Sequence, residues 1–191
     1  MNCHIIAQLA SVRIALIVTA VSLATQAFAQ TPTRTFPSAR LDDNAEAPII
    51  DGRVTDAIWQ TVKPYGDFTQ QDPTEGAPAS EKTEVRIIVG KGNVYVSIIC
   101  FDADPSKIIV SQSRRDASLN ETDSVVMVFD TFNDNQNAFV FGTNPAGIEY
   151  DGQVTNEGQG GGGLSNAQMQ MGGSGSGFNL NWDGAWEVRA R

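Results

Sequence analysis

Hydrophobic and polar residues alternate with a period of two along two adjoining stretches near the middle of the chain, residues 84–89 and 94–101. This alternation predicts β-strands, because successive side chains of a strand point to opposite faces. Residues 90–93 (GKGN) lie between the two stretches and predict a β-hairpin. The second stretch is apolar on both faces, so we expect it to be a central strand.

Three further stretches predict strands. Residues 124–130 (SVVMVFD) have the composition of a buried strand, and residues 137–143 and 148–154 flank the turn Asn-Pro-Ala-Gly. Short strands joined by such turns predict an all-β fold, an antiparallel β-sandwich of the jelly-roll or immunoglobulin-like type. Residues 185–191 still alternate at the final residue, so we expect a strand that is cut short and a domain truncated at its C-terminus.

One short helix and two irregular segments complete the predicted domain. Residues 54–59 predict a helix capped by Thr55, with Trp59 packed against the core. Residues 30–48 lack periodicity and predict an extended leader, so we expect the folded domain over residues 49–191. The glycine-rich residues 157–178 predict a mobile loop, which is either a surface insertion or a lid over a site.

Residues 1–29 have the features of a signal peptide. Arg13 supplies one positive charge before an apolar run that is too short for a comfortable membrane span. The small residues Ala27 and Ala29 fit the requirement of signal peptidase. We therefore predict cleavage between Ala29 and Gln30, and export to the periplasm, the outer membrane or the extracellular space.

Removal of this segment limits the chemistry of the chain. The mature chain carries 12 basic and 22 acidic residues, a net charge of −10, which disfavours binding to nucleic acid. It has no histidine and a single cysteine, Cys100, so we expect no internal disulfide, no histidine-dependent nucleophile and no ordinary zinc site. No pair of acidic residues has the arrangement of a glycosidase, so we predict that the chain is not an enzyme.

Several short motifs occur in the order found in family 9 carbohydrate-binding modules. They are residues 50–59 (IDGRVTDAIW), 82–86 (KTEVR), 93–96 (NVYV) and 123–125 (DSV). Three more resemble the subgroup found at the N-terminus of exported bacterial proteins with a predicted outer-membrane β-barrel: 130–134 (DTFND), 141–147 (FGTNPAG) and 181–186 (NWDGAW). The resemblance covers about residues 50–191 and implies an antiparallel sandwich that binds sugars and is often attached to an O-glycosyl hydrolase.

The ligand residues of that family carry over poorly. Sugar-binding members hold the ring between aromatic side chains, and one of these tryptophans is replaced here by Asn120. A polar contact of the family falls on Val126, and a basic residue falls on Gly142. The second tryptophan of the clamp would lie beyond Arg191. The resemblance therefore supports the fold better than the ligand.

Four residues are candidates for ligand binding. The flat ring of Trp182 suits the apolar face of a pyranose, and the neighbouring Asp183 suits its hydroxyl groups. Arg114 and Arg115 suit hydroxyl groups or a carboxylate. The alternatives are that Trp182 only packs against a sheet and that both arginines lie in a solvated loop.

Asp102, Asp104, Asp130 and Asp134 are weak candidates for a Ca²⁺ site, because this cation prefers several oxygen ligands. The alternative is that they are turn aspartates, which bond to their own backbone. We expect no other cofactor.

The sequence favours a non-catalytic carbohydrate-binding module of a polysaccharide-degrading or uptake protein. Its ligand would be an oligosaccharide or polysaccharide, and a glycoside hydrolase would be attached to it. The alternative is a periplasmic structural or docking domain that serves an outer-membrane β-barrel and has no sugar site.

Overall fold

A computed structural model describes residues 35–155 and 177–191 of the chain. Within these residues the regular structure is seven strands and two short 3₁₀ helices, Ala57–Thr61 and Pro105–Lys107. The strands are β1 (Ser38–Arg40), β2 (Thr83–Gly90), β3 (Asn93–Cys100), β4 (Val125–Phe129), β5 (Ala138–Thr143), β6 (Tyr150–Val154) and β7 (Phe178–Asn179). The prediction of a β-rich fold is confirmed. The predicted signal peptide, its cleavage site and most of the glycine-rich segment lie outside the described residues.

β1, β2 and β3 form a three-stranded sheet in that order, with β1 parallel to β2 and β3 antiparallel to it. The predicted hairpin is confirmed. Its two-residue turn places Lys91 at φ 52° and Gly92 at φ 75°, as a turn matched to the twist of paired strands requires. Among residues 35–155 and 177–191, β3 is an edge strand of this sheet, so the prediction of a central strand is wrong. The two apolar faces of β3 have different surroundings. The face that carries Tyr95 packs on a buried cluster, and the face that carries Val94 is partly exposed.

The start of the folded region differs from the prediction. The segment predicted as a leader already contains β1, which pairs with β2 from Ser38↔Ile87 to Arg40↔Val89. The next residue, Leu41, is 1% exposed, and its amide donates to the carbonyl of Val89 at 2.9 Å. Three residues are too short for a periodicity signal, so the sequence could not reveal that this strand exists.

The short helix lies near its predicted place but has a different cap. Asp56 is the N-cap residue, and its side chain makes no capping hydrogen bond, so the role predicted for Thr55 is wrong. Trp59 is 3% exposed, as its predicted packing requires. It belongs to the buried cluster of the three-stranded sheet, which consists of Leu41, Trp59, Val62 and Ile88.

β4, β5, β6 and β7 form a four-stranded antiparallel sheet in that order. Side chains that are directly opposite in the ladder share a face, so the register defines two faces. One carries Val140 and is called the core face. Val140 belongs to a second buried cluster, which consists of Leu119, Ala138, Val140, Ile148, Tyr150, Val154 and Phe178. The other carries Phe139 and Phe141 and is called the aromatic face.

β4 is less buried than predicted, since Val126 and Val128 are 37% and 45% exposed at the edge of the core face. The predicted strand at residues 185–191 is also wrong. This segment forms no ladder, although its half-buried residues, among them Trp186 and Val188, alternate with exposed ones. An extended segment that lies on the face of a sheet shows the same alternation, even when it forms no backbone pairing with a strand.

All the elements above belong to one compact unit, Phe36–Arg191. Each sheet of this unit has its own buried cluster. In the described residues, no helix is long and apolar enough to cross a membrane.

Candidate functional site

Five aromatic side chains gather on the aromatic face of the four-stranded sheet. Alternation along β5 directs Phe139 and Phe141 to this face and sends Val140 to the core face. Trp182 stacks on Phe139 with a centroid separation of 4.8 Å and meets Phe141 edge-on at 5.9 Å. Trp186 meets Phe141 edge-on at 5.2 Å, and Phe129 does so at 5.9 Å. All five are only half-buried, so this face is an aromatic surface that solvent still reaches.

A short hydrogen bond from a backbone amide helps to hold the C-terminal segment, residues 180–191, on this face. The amide of Gly184 donates to Oδ2 of Asp151 at 2.6 Å, and Asp151 is directly opposite Phe141 in the ladder. A Cβ at position 184 would come within 2.8 Å of the Trp182 ring and 3.2 Å of the Phe141 ring. Glycine is therefore required for the segment to lie this close to the aromatic face.

A charged cluster borders the aromatic face, and Arg115 is at its centre. The guanidinium donates to Glu149 Oε2 at 2.7 Å, to Asp151 Oδ1 at 2.8 Å and to Asp183 Oδ1. Its Nε lies 3.5 Å from Asp116 Oδ2. One cation thus meets four carboxylates, and Asp151, at 1% exposed, is the buried member.

The electrostatics of this charged cluster keep Arg115 positively charged. Partial burial acts to lower the pKa of Arg115, but the charges of Asp151 and Asp183, and then of Asp116 and Glu149, outweigh it and raise this pKa. The guanidinium is committed to these carboxylates. Asp183 is 77% exposed at its side chain, so its oxygens still face solvent. The cluster therefore offers acceptors to a ligand more readily than donors.

One donor on the aromatic face remains unused. The indole Nε1 of Trp186 is buried and has no hydrogen-bond partner in the described residues. A buried donor without an acceptor costs free energy, so this group is a destabilising feature of the aromatic face in the described residues.

The structure brings together three of the four residues predicted to bind a ligand. Arg115 bonds to Asp183, and Trp182 is the next residue along the chain. Arg114 is exposed, and its carbonyl accepts from the amide of Ala117 at 3.2 Å, as in an ordinary surface turn. The sequence did not reveal Asp151. Its only sequence signal was a carboxylate at an interior position of the predicted strand 148–154, which is costly to bury without a partner.

The four aspartates predicted as weak Ca²⁺ ligands lie in two loops, where they accept hydrogen bonds from nearby groups. Asp102 accepts from the amide of Asp104 at 2.6 Å, and Asp130 accepts from the amide of Asn135 at 2.8 Å. Hydrogen bonds from Ser106 and then Lys107 lower the pKa of Asp104. The side chain and then the amide of Asn137 lower that of Asp134. No group of three or more His, Cys, Asp or Glu in the searched part of the chain could hold a metal. The Ca²⁺ prediction itself remains untested.

Of the three positions that the resemblance to family 9 singles out, Val126 and Gly142 lie on the core face of the sheet, and Asn120 lies outside the strands. Val126 is directly opposite Gly142 on the core face, and Asn120 is exposed next to the buried Leu119. A Cβ at position 142 would come within 2.6 Å of Leu119 Cδ1 and 3.2 Å of Tyr150 Cδ1. This position has no room for the basic side chain of the family.

Comparison with protein-family models, curated proteins and solved structures finds no match to this chain.

Proposed function

We propose that this chain is a non-catalytic carbohydrate-binding module and that Trp182 and its surroundings form the ligand surface. The observation that supports the proposal is the half-buried Trp182 ring beside Asp183, whose side chain is 77% exposed. An aromatic ring covers the apolar C–H face of a pyranose, and carboxylate oxygens accept from its hydroxyl groups. Both chemical requirements are therefore met within two consecutive residues.

The rest of the charged cluster would determine how well this surface is ordered before a ligand binds. Arg115 holds Asp183 against the buried Asp151, which also accepts from the amide of Gly184. The segment carrying Trp182 is thereby fixed at the two residues that follow it, Asp183 and Gly184. A surface that is already ordered loses less conformational entropy when it binds a ligand, which favours measurable affinity from a small contact area.

We further propose that the two sheets belong to a β-sandwich of the jelly-roll or immunoglobulin-like type, as the resemblance to family 9 implies. The proposed setting is an exported protein that degrades or takes up polysaccharide, with this chain holding the substrate. The signal peptide expected at residues 1–29 and the absence of histidine from the mature chain support an exported binding role.

A glycan array followed by calorimetric titration with the strongest oligosaccharide tests the proposal. We expect Trp182→Ala to weaken binding at least about tenfold, which corresponds to about 1.4 kcal/mol of binding free energy. Phe132→Ala is the matched control, because Phe132 is an aromatic residue that is 65% exposed and is not part of the aromatic face. The control should bind as the wild-type protein does.

Two results contradict the proposal. One is a folded wild-type protein that binds no glycan on the array. The other is a Trp182→Ala variant that keeps both its fold, by circular dichroism, and the wild-type affinity.

A second candidate function is a periplasmic structural or docking domain of an outer-membrane β-barrel protein. It is favoured by the replaced ligand positions Asn120, Val126 and Gly142, the last of which has no room for a side chain. If the chain belongs to a longer protein, the reading frame beyond Arg191 discriminates. A long series of amphipathic strands favours the docking domain, and a glycoside hydrolase favours the sugar-binding module.

A further inference from the structure

In the described part of the chain, the outer edge of β3 has backbone groups without partners, and it lies beside an apolar face. The odd-numbered residues of β2 bond away from β3: the amide of Leu41 donates to Val89 at 2.9 Å, and Tyr65 and Val85 exchange two bonds. The even-numbered residues of β2 therefore bond to the odd-numbered residues of β3, which are their partners in the register. The amides and carbonyls of the even-numbered residues of β3 point outward, at the edge of the sheet.

The side chains of these outward-bonding residues belong to a face that we call the valine face. It consists of Val85, Ile87, Val89, Val94, Val96 and Ile98. None of the six belongs to a buried cluster of the described residues, and Val89 and Val94 are 46% and 53% exposed. The other four are half-buried. An edge strand beside an apolar face that solvent still reaches is a surface onto which another strand can add.

β3 also lacks the features that normally prevent such pairing. Its eight residues include no charge and no proline. The opposite edge of the same sheet is β1, which is only three residues long and therefore protected by its shortness. In a chain with a net charge of −9, an uncharged strand of this length at an edge is a surface that a second copy can approach without local repulsion.

We propose that two copies of this chain pair through antiparallel β3 strands about a two-fold axis at Val96. This register places Val96 beside Val96 of the partner subunit, and Val94 beside Ile98 of the partner subunit. The valine faces of the two copies then form one continuous apolar surface. Such an interface is isologous, because each contact occurs twice by symmetry.

The charges at the ends of the strand determine the choice of β3 and of a second copy as its partner. Lys91 precedes β3 and Asp102 follows it, so antiparallel pairing brings Lys91 of each copy near Asp102 of the partner subunit. β4, the other long edge strand, is flanked by Asp123 and Asp130, so the same pairing would bring two carboxylates together. Opposite charges favour the first pairing, and like charges oppose the second.

Sedimentation velocity of the purified protein, with reductant to keep Cys100 reduced, tests this proposal from about 1 µM to about 1 mM. We expect the average mass to rise with concentration towards twice that of one chain. Val96→Lys and Val96→Glu should each remain single chains, because like charges would meet at the axis. An equimolar mixture of the two variants should associate again, because opposite charges then meet.

Two further variants keep the test decisive if a charge at position 96 disturbs the fold. Val94→Lys changes a residue that is already 53% exposed, and it should also abolish association. Val110→Lys is the matched control, because Val110 is 49% exposed and lies outside every strand, and it should associate as the wild-type protein does. A wild-type protein that stays a single chain at every concentration overturns the proposal. Association that persists in folded Val96→Lys and Val94→Lys also overturns it.

Discussion

The two faces of the four-stranded sheet are formed by alternate residues of the same strands, yet they differ in chemistry. On the core face, aliphatic and aromatic side chains bury Val140 completely, and exposure is found at β4, where Val126 and Val128 are partly open to solvent. The aromatic face carries half-buried rings, and the cluster of Arg115 with four carboxylates borders it. One face thus contributes mainly stability, while the other retains solvent-accessible groups that can contact a ligand.

The difference shows which face of this sheet can carry the polar groups of a ligand site. A carboxylate or ammonium group added to the buried part of the core face would lose water without gaining a partner there, which costs free energy. On the aromatic face, Asp151 is buried but receives hydrogen bonds from Arg115 and Gly184, so a carboxylate can exist there.

The largest expected effect is on the core face. Val140→Ala should lower the free energy of unfolding by about 2–3 kcal/mol, because two methyl groups are removed from a fully buried site. Val128→Ala is the matched control, since Val128 is directly opposite Val140 but 45% exposed, and its loss should stay under about 1 kcal/mol. Urea denaturation measures both. Equal losses would show that the two positions are equally packed, contrary to this account.

The next effect is a pH dependence that arises from Tyr150 on the core face. Burial, assisted by the charge of Asp116, raises the pKa of Tyr150 from 10.0 to about 12. The unfolded state therefore loses the phenol proton first, and stability should fall by about 2 kcal/mol as the pH rises from about 10 to about 12.

The variant Tyr150→Phe removes this titration. Between pH 10 and pH 12, the unfolding free energy of this variant should decline less than that of the wild-type protein. Titrations common to both proteins cancel in this comparison. Parallel pH profiles would contradict the assignment to Tyr150.

The smallest of the three effects concerns the charged cluster. Asp151→Asn should cost about 1–2 kcal/mol of unfolding free energy, because it weakens the buried acceptor of both Arg115 and the amide of Gly184. Asp183→Asn is the control: its side chain is 77% exposed, so the change should be within about 0.5 kcal/mol. Thermal denaturation compares them. A larger loss for Asp183→Asn would mean that the exposed carboxylate, and not the buried one, anchors the C-terminal segment.

Elements with a long periodic signal were predictable. The β2–β3 hairpin, β4 and the β5–β6 pair lie close to their predicted positions. Alternation predicted the hairpin, apolar composition predicted β4, and the Asn-Pro-Ala-Gly turn predicted the β5–β6 pair, and each of these signals is local. Trp182, Asp183 and Arg115 were predicted one by one from side-chain chemistry. Their mutual contact was not predicted, because Arg115 and Asp183 are 68 residues apart in the sequence.

What the sequence determined by itself was the local pattern: which stretches are extended, where the chain turns, and which side chains share a face. Only the tertiary structure decided the rest: that β3 is an edge strand, that residues 38–41 belong to the fold, and that Arg115 meets four carboxylates. The physical reason is that alternation follows from the geometry of a single strand, whereas strand order and burial depend on which distant segments pack together.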